Sequence, residues 1–216
     1  MRTYKRSTTI GKIKIIELTD KERLQLEEGF RRGKSQKLQE LVQQEKNGLI
    51  ALYYGDESHV CTDGYVPYVW QFCGEDVYIP SEKDLRLNIF GMIDRRNRYE
   101  RFTTTENMTA DKVANFLDRM SLRISKRTFV VLDNASVHRC RLMREFRPLW
   151  EKRGLFLFFL PPYSPHLNIA ETLWRILKGK WLRPVDYLYT DALLYATNRA
   201  LAAIGSGLKI NFKHVA

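Results

Sequence analysis

The chain has 216 residues, of which 44% are hydrophobic and 12% aromatic. That content supports one sizeable core, leaves little for a second full domain, and excludes a compositionally disordered chain. Lys and Arg total 36 against 25 acidic residues, a formal charge of +11, which favours a polyanionic partner, nucleic acid above all.

The basic excess is uneven, with 15 basic and 7 acidic residues between Arg95 and Arg153. Cys61, Cys73 and Cys140 form no C-x-x-C pair and are odd in number. They argue against a disulfide framework or a structural zinc site and fit a reducing cytosol. The basic start, MRTYKRSTTIGKIKII, has no long apolar run, and LFLFFLPPY at 155–163 is too short to span a bilayer. A cytoplasmic protein with no membrane partner is expected.

In chain order, residues 1–16 are basic with a β-like stretch, IGKIKII. Thr19 or Asp20 can cap a helix carrying Leu24, Leu26 and Phe30, with Gly33 as its stop. The polar segment QKLQELVQQEKNG reads as helical up to Asn47–Gly48. We expect this 1–47 segment to precede one domain at 48–216.

GLIALYYGDES is an apolar strand ending in acids. DGYVPYVWQF and EDVYIP are short β pieces. LRLNIFGMID at 85–94 is a strong strand, Asn97 lies in the turn, and YERFTTTE at 99–106 returns antiparallel. Thr109 is a good N-cap for a helix over 109–124, with Val113, Phe116, Leu117, Met120 and Ile124 at helical spacing. RTFVVLDN at 127–134 is a buried strand. HRCRLMREFRPLWEKRG is a helix stopped near Gly154, which Pro148 should kink or split. LFLFFL at 155–160 is another buried strand, followed by the rigid loop PPYSPHLN. IAETLWRILKGKW is a helix after Asn168, and DALLYATNRALAAI a last one. Three strands, helix, strand, helix, strand, helix describe an α/β arrangement, a mixed sheet covered by helices.

Three acids fall where such a fold places active-site groups. Asp56 follows the apolar strand LIALYYG, Asp133 ends TFVVLD, and Glu171 opens a helix after a Pro-rich loop. Neighbouring strand ends converge at one edge of a sheet. Two aspartates and a glutamate can form an all-oxygen cage, which suits Mg²⁺ or Mn²⁺. Two such ions activate one oxygen and stabilise another in phosphodiester chemistry, with no covalent protein nucleophile. Each acid also has a plain structural role open to it. Asp56 can be a turn residue, Asp133–Asn134 a strand-to-helix turn, and Asn168-x-x-Glu171 a capping box.

LPPYSPHLNIAETLWRILK at 160–178 closely resembles the signature of mariner-like bacterial insertion-sequence transposases. VVLDNASVH at 130–138 resembles the family's second-aspartate block and YYGDESHV at 53–60 its first. The interval from Asp133 to Glu171 is compatible with the family's spacing of its second and third acids. The resemblance runs from about Gly48 to the C-terminus. It implies a ribonuclease-H-like fold and metal-dependent DNA cleavage and strand joining, with Asp56, Asp133 and Glu171 holding two Mg²⁺ or Mn²⁺ ions. It implies DNA, as transposon ends and target, for a partner, and leaves room for a homodimer.

Asn134 and His138 are supporting candidates that could position a water or the DNA backbone, although His138 can equally bond locally at a helix start. Arg175, Lys178, Lys180 and Arg183 could grip phosphates or form a solvated basic face. The prolines at 161, 162 and 165 and Tyr163 should stiffen the loop that aims Glu171, and Trp174 reads as core.

The family's chains are longer and carry an N-terminal helix-turn-helix. ELTDKERLQLEEGFRRGKS at 17–35 looks like its very start, after which the text passes straight to the approach of the first catalytic strand. Loss of base readout would leave weak, salt-sensitive DNA binding. Two readings follow: a catalytically competent DNA-nicking and joining domain, or a remnant or regulator that binds DNA or full-length transposase without turnover. A nuclease acting on RNA–DNA hybrids fits the PPYSP…E…LW words less well.

Overall fold

A computed structural model describes residues 20–62, 73–74 and 86–212. The stretch IGKIKII and the β pieces DGYVPYVWQF and EDVYIP lie outside them. The chain divides into two compact units, Met1–Glu40 and Leu41–Ala216. In the first, the described residues belong to helix α1, which spans Asp20–Lys46. Gly33 does not stop this helix, as the sequence led us to expect. A Cβ at Gly29 or Gly33 would meet nothing within 4 Å, and both positions lie in an uninterrupted helix. The cost of a helical glycine, about 1 kcal/mol, is small beside a run of Glu, Lys, Leu, Gln and Arg. The stop falls instead at Gly48, with φ +75°.

The second unit is built on five strands: β1 (Ala51–Val60), β2 (Leu87–Ile93), β3 (Tyr99–Thr104), β4 (Thr128–Leu132) and β5 (Leu155–Phe159). Their spatial order is β3-β2-β1-β4-β5. β1, β2 and β3 pair antiparallel, whereas β4 joins β1 and β5 joins β4 in parallel. This is the mixed sheet with flanking helices that the order of elements led us to expect, and it agrees with the ribonuclease-H-like fold that the resemblance implies.

Alternation along the strands gives each face its own cover. On one face Tyr53, Phe90, Met92, Val130 and Leu132 join a core cluster with Val113, Phe116, Leu117 and Met120 of α2 (Ala110–Ser121). Met143 and Trp150 of α4 (Arg141–Arg153) complete that cluster. Asp118 ties the two helices, accepting from Trp150 Nε1 at 3.1 Å and Arg153 at 2.7 Å. On the other face, α5 (Ile169–Ile176) packs against β1 and β2, and α6 (Thr190–Ala203) against β1.

Three local expectations need correction. Thr109 is the N-cap of α2, as its place in the sequence suggested, but its side chain makes no capping bond. Pro148 does not split its helix: α4 runs through it, and the break falls at Cys140, whose extended ψ of 170° separates α4 from the short helix α3 (Ser136–Arg139). The helix after Asn168 is not uniform either, since α5 ends at Ile176 and a π-helical turn follows over Leu177–Trp181.

At the β2–β3 turn, Asn97 adopts φ +64°, a left-handed conformation that Asn tolerates. Its amide donates to Ile210 O at 3.0 Å and accepts from Ile210 N at 2.7 Å. Gly205 passes so close that a Cβ there would lie 2.7 Å from Asn97 O.

Candidate active site

Asp56 lies inside β1 rather than after it, because the strand continues to Val60. β4 pairs with β1 only through Tyr54↔Val131, so beyond Tyr54 the ladder of β1 is made with β2 alone. Continued by two residues, the β1–β4 register sets Asp133 alongside Asp56. Both aspartates thus stand where the sheet opens.

Glu171 sits in the first turn of α5 and is solvent-exposed. Its place is set by Asn168, which is 4% exposed. The Asn168 side chain accepts from Ala170 N at 3.1 Å, capping the helix, and donates to Gly55 O at 3.1 Å. One amide therefore caps the helix that carries Glu171 and ties it to the strand residue preceding Asp56.

Asp56 and Trp174 meet on the same face of the sheet. The Trp174 indole N–H donates to Asp56 Oδ2 at 3.0 Å. The ring reaches it over Gly91, the cross-strand partner of Asp56, where a Cβ would lie 2.7 Å from Trp174 Cη2. Trp174 is core, as its spacing suggested, and it also holds an acid, which the sequence reading missed. Burial, and then the charges of Glu171, Glu57 and Asp133, push the Asp56 carboxyl up to about 7.

Asp133 is held differently. Its Oδ1 accepts from Ala135 N at 2.9 Å and lies 2.8 Å from Nδ1 of His138. The His138 bond holds its carboxyl below the usual range; burial opposes that effect and the Ala135 amide adds to it. His138 is 1% exposed, and its Nε2 lies 2.8 Å from Glu57 Oε1. Burial alone would lower the imidazole, but hydrogen bonds and charge from Asp133 and Glu57 outweigh it and raise it to about 9. Glu57 was not singled out by sequence, although it directly follows Asp56. Asn134 donates to Leu160 O at 2.5 Å and accepts from Arg139 at 3.3 Å, so it braces the end of β4 against the end of β5.

Asp133, Asn134, Pro161, Tyr163, Asn168 and Glu171 are among the residues lining a cleft of about 400 Å³. Tyr163 protrudes from its rim, 91% exposed and with φ +54°. Among the basic candidates, Arg175 and Lys180 line a separate groove with His166 and Phe212. Lys178 lies within electrostatic reach of Glu171 and Asp56 instead. Its burial lowers the ammonium pKa, against the charges of Cys61, Glu171 and Asp56. Arg183 is engaged with Asp186, to which its guanidinium donates at 3.1 Å. Among the described residues, no three His, Cys, Asp or Glu side chains are gathered so as to hold a metal ion as they stand. No described helix is long and apolar enough to cross a membrane.

The chain is thus a five-stranded mixed α/β domain with Asp56 and Asp133 at the opening between β1 and β4. The chain belongs to the DDE superfamily endonuclease family, whose model matches residues 51–192. It is similar in structure to a Mos1 mariner paired-end complex with Mn, at TM-score 0.55 and 16% identity over 91% of this chain and 60% of that one. A Mos1 transposase paired-end complex with the left transposon end gives TM-score 0.54 and 16% identity over 91% and 59%. The Mos1 strand transfer complex gives 0.53 and 17% over 91% and 58%. The chain thus spans about 58–60% of the length of these transposase chains. No curated protein matches it.

Proposed function

We propose that residues 48–216 are the catalytic domain of a cut-and-paste DNA transposase, cleaving and joining DNA strands at Asp56, Asp133 and Glu171. The observation that carries this reading is the state of Asp56. Its half-buried carboxyl is pushed up to about 7 by burial and then by the charges of Glu171, Glu57 and Asp133, so these acids crowd one another electrostatically. An all-carboxylate oxygen set suits the hard ions Mg²⁺ and Mn²⁺. Divalent ions bound there would supply polarisation of the attacking and leaving oxygens of a phosphodiester.

The protein's own residues supply position. Trp174 and Asn168 fix Asp56 and the start of α5. Glu171, exposed in the first turn of α5, has the rotamer freedom to close on the aspartates. Lys178 places positive charge beside the acids, where a scissile phosphate would lie. Arg175 and Lys180, on their separate groove, suit the flanking DNA backbone. The transposon ends and manganese named for the Mos1 complexes support DNA and a divalent cation as partners.

The test is nicking of supercoiled DNA by the purified protein with Mn²⁺, beside Asp133→Ala. Nicking by the wild type that the variant lacks is expected. A second reading is a remnant or regulator that binds DNA or full-length transposase without turnover. It is favoured by the lack, among the described residues, of three His, Cys, Asp or Glu side chains gathered so as to hold a metal ion as they stand, and equal behaviour of the two proteins would select it.

A further inference from the structure

We infer that Glu57 is a positioning residue, acting through His138 to set the orientation of Asp133. This rests on the reading of Asp133 as a site acid given above.

Consecutive residues on a strand point to opposite faces. Asp56 faces α5, where Trp174 holds it. Glu57 faces the other side, opposite Phe90 in the β1–β2 register. It therefore cannot join Asp56 on the α5 side. Its Oε1 instead lies 2.8 Å from His138 Nε2, and His138 Nδ1 lies 2.8 Å from Asp133 Oδ1. The imidazole is 1% exposed and packs edge-on against Phe90, with ring centroids 6.2 Å apart. With a carboxylate oxygen within hydrogen-bond distance of each nitrogen, the ring is engaged at both and has no free edge.

The strut matters because of where it stands. Strand pairing between β1 and β4 ends at Tyr54↔Val131. Asp133 lies beyond it, past the last residue of β4. Backbone ladder bonds to β1 therefore do not fix its carboxylate. The Glu57–His138–Asp133 chain restores a connection between the two strands through side chains. It turns one oxygen of Asp133 towards the ring and leaves the other for the cleft shared with Glu171. Outer-shell partners that orient a metal ligand typically matter roughly 10- to 100-fold in metal affinity or activity.

The experiment measures plasmid nicking by the purified full chain against Mn²⁺ concentration, with a thermal melt of every variant. Glu57→Ala should slow nicking roughly 10- to 100-fold and raise the Mn²⁺ concentration for half-maximal rate. Glu57→Gln, whose carbonyl still accepts from Nε2, should stay within a few-fold of wild type. Glu57→Ala should add little to His138→Gln, because both break one chain. The inference is overturned if Glu57→Ala leaves rate and Mn²⁺ dependence unchanged or lowers only the melting temperature. It is also overturned if Glu57→Gln is as damaging as Asp133→Asn, which would make Glu57 a direct ligand. A wild type that does not nick at all removes the enzyme reading itself, and this role with it.

Discussion

The indole N–H of Trp174 donates to Oδ2 of Asp56 at 3.0 Å, joining positions 118 residues apart in the chain. Replacing Trp174 by Phe keeps much of the ring and removes the donor. A buried acceptor left unpaired costs about 1–3 kcal/mol. We expect Trp174→Phe to lower the urea midpoint accordingly and to reduce nicking more than the stability loss explains. An unchanged midpoint would show that the bond contributes nothing.

Gly91 gives that indole its seat. A Cβ there would lie 2.7 Å from both Trp174 Cη2 and Tyr99 Oη. Gly91→Ala should therefore overpack this face, at a cost of about 1–3 kcal/mol. Gly33→Ala is the counterpart, because a Cβ there meets nothing within 4 Å. It should raise helicity by circular dichroism, in line with the ~1 kcal/mol preference of Ala over Gly in a helix. Equal effects of the two substitutions would refute the steric account.

Asn168→Ala removes a helix cap and a bond to the strand beside Asp56 in one step. Capping losses run about 0.5–2 kcal/mol, and the orphaned Gly55 carbonyl adds to that. Chemical denaturation should show a loss of ~2 kcal/mol or more, with Asn168→Asp recovering the cap but not the strand bond. If Asp recovers everything, the Gly55 contact is idle.

Two raised pKa values act in the same direction on the metal-free protein. Asp56 sits at about 7 when folded against an ordinary 3.8, so between those values the native state holds more protons than the unfolded chain. Stability should fall as pH rises through that window. His138 sits at about 9 against 6.5. Its contribution is complete below 6.5 and lost as pH climbs to about 9. Asp133 works oppositely, since its lowered pKa favours folding above 3.8 and loses that effect as pH falls through the folded value. Calorimetry across this range should find the melting temperature highest in weak acid. His138→Gln should remove the decline between 6.5 and 9 that the imidazole causes. A melting temperature that rises steadily to pH 9 contradicts the assignment.

Strand and helix order was legible because β1, β2, β4 and β5 carry apolar runs, and α2 keeps Val113, Phe116, Leu117 and Met120 on one side. Gly33 and Pro148 misled for a shared reason. Both are local breakers whose effect is about one to a few kcal/mol, which neighbouring residues or tertiary packing can exceed. At the site, Asp133 and Glu171 were visible as a strand end and a helix start. Glu57 and the donor role of Trp174 were not, because each depends on pairing β1 with β2 and on which face a residue takes. A shift of one position in that register would exchange the faces of Asp56 and Glu57. No linear pattern prints such information, although an acid directly after Asp56 and a histidine shortly after Asp133 were available as hints.

The clasp between Asn97 and Ile210 has a bearing on how the protein is made. Its two hydrogen bonds close a loop of 113 positions, so chain entropy sets them against early formation. While the polypeptide is still being synthesised, the turn at Asn97 emerges long before its latch. The β2–β3 edge must wait, unfastened, for Ile210, beyond α6, to leave the ribosome, and a stalled or clipped nascent chain would expose that hairpin first.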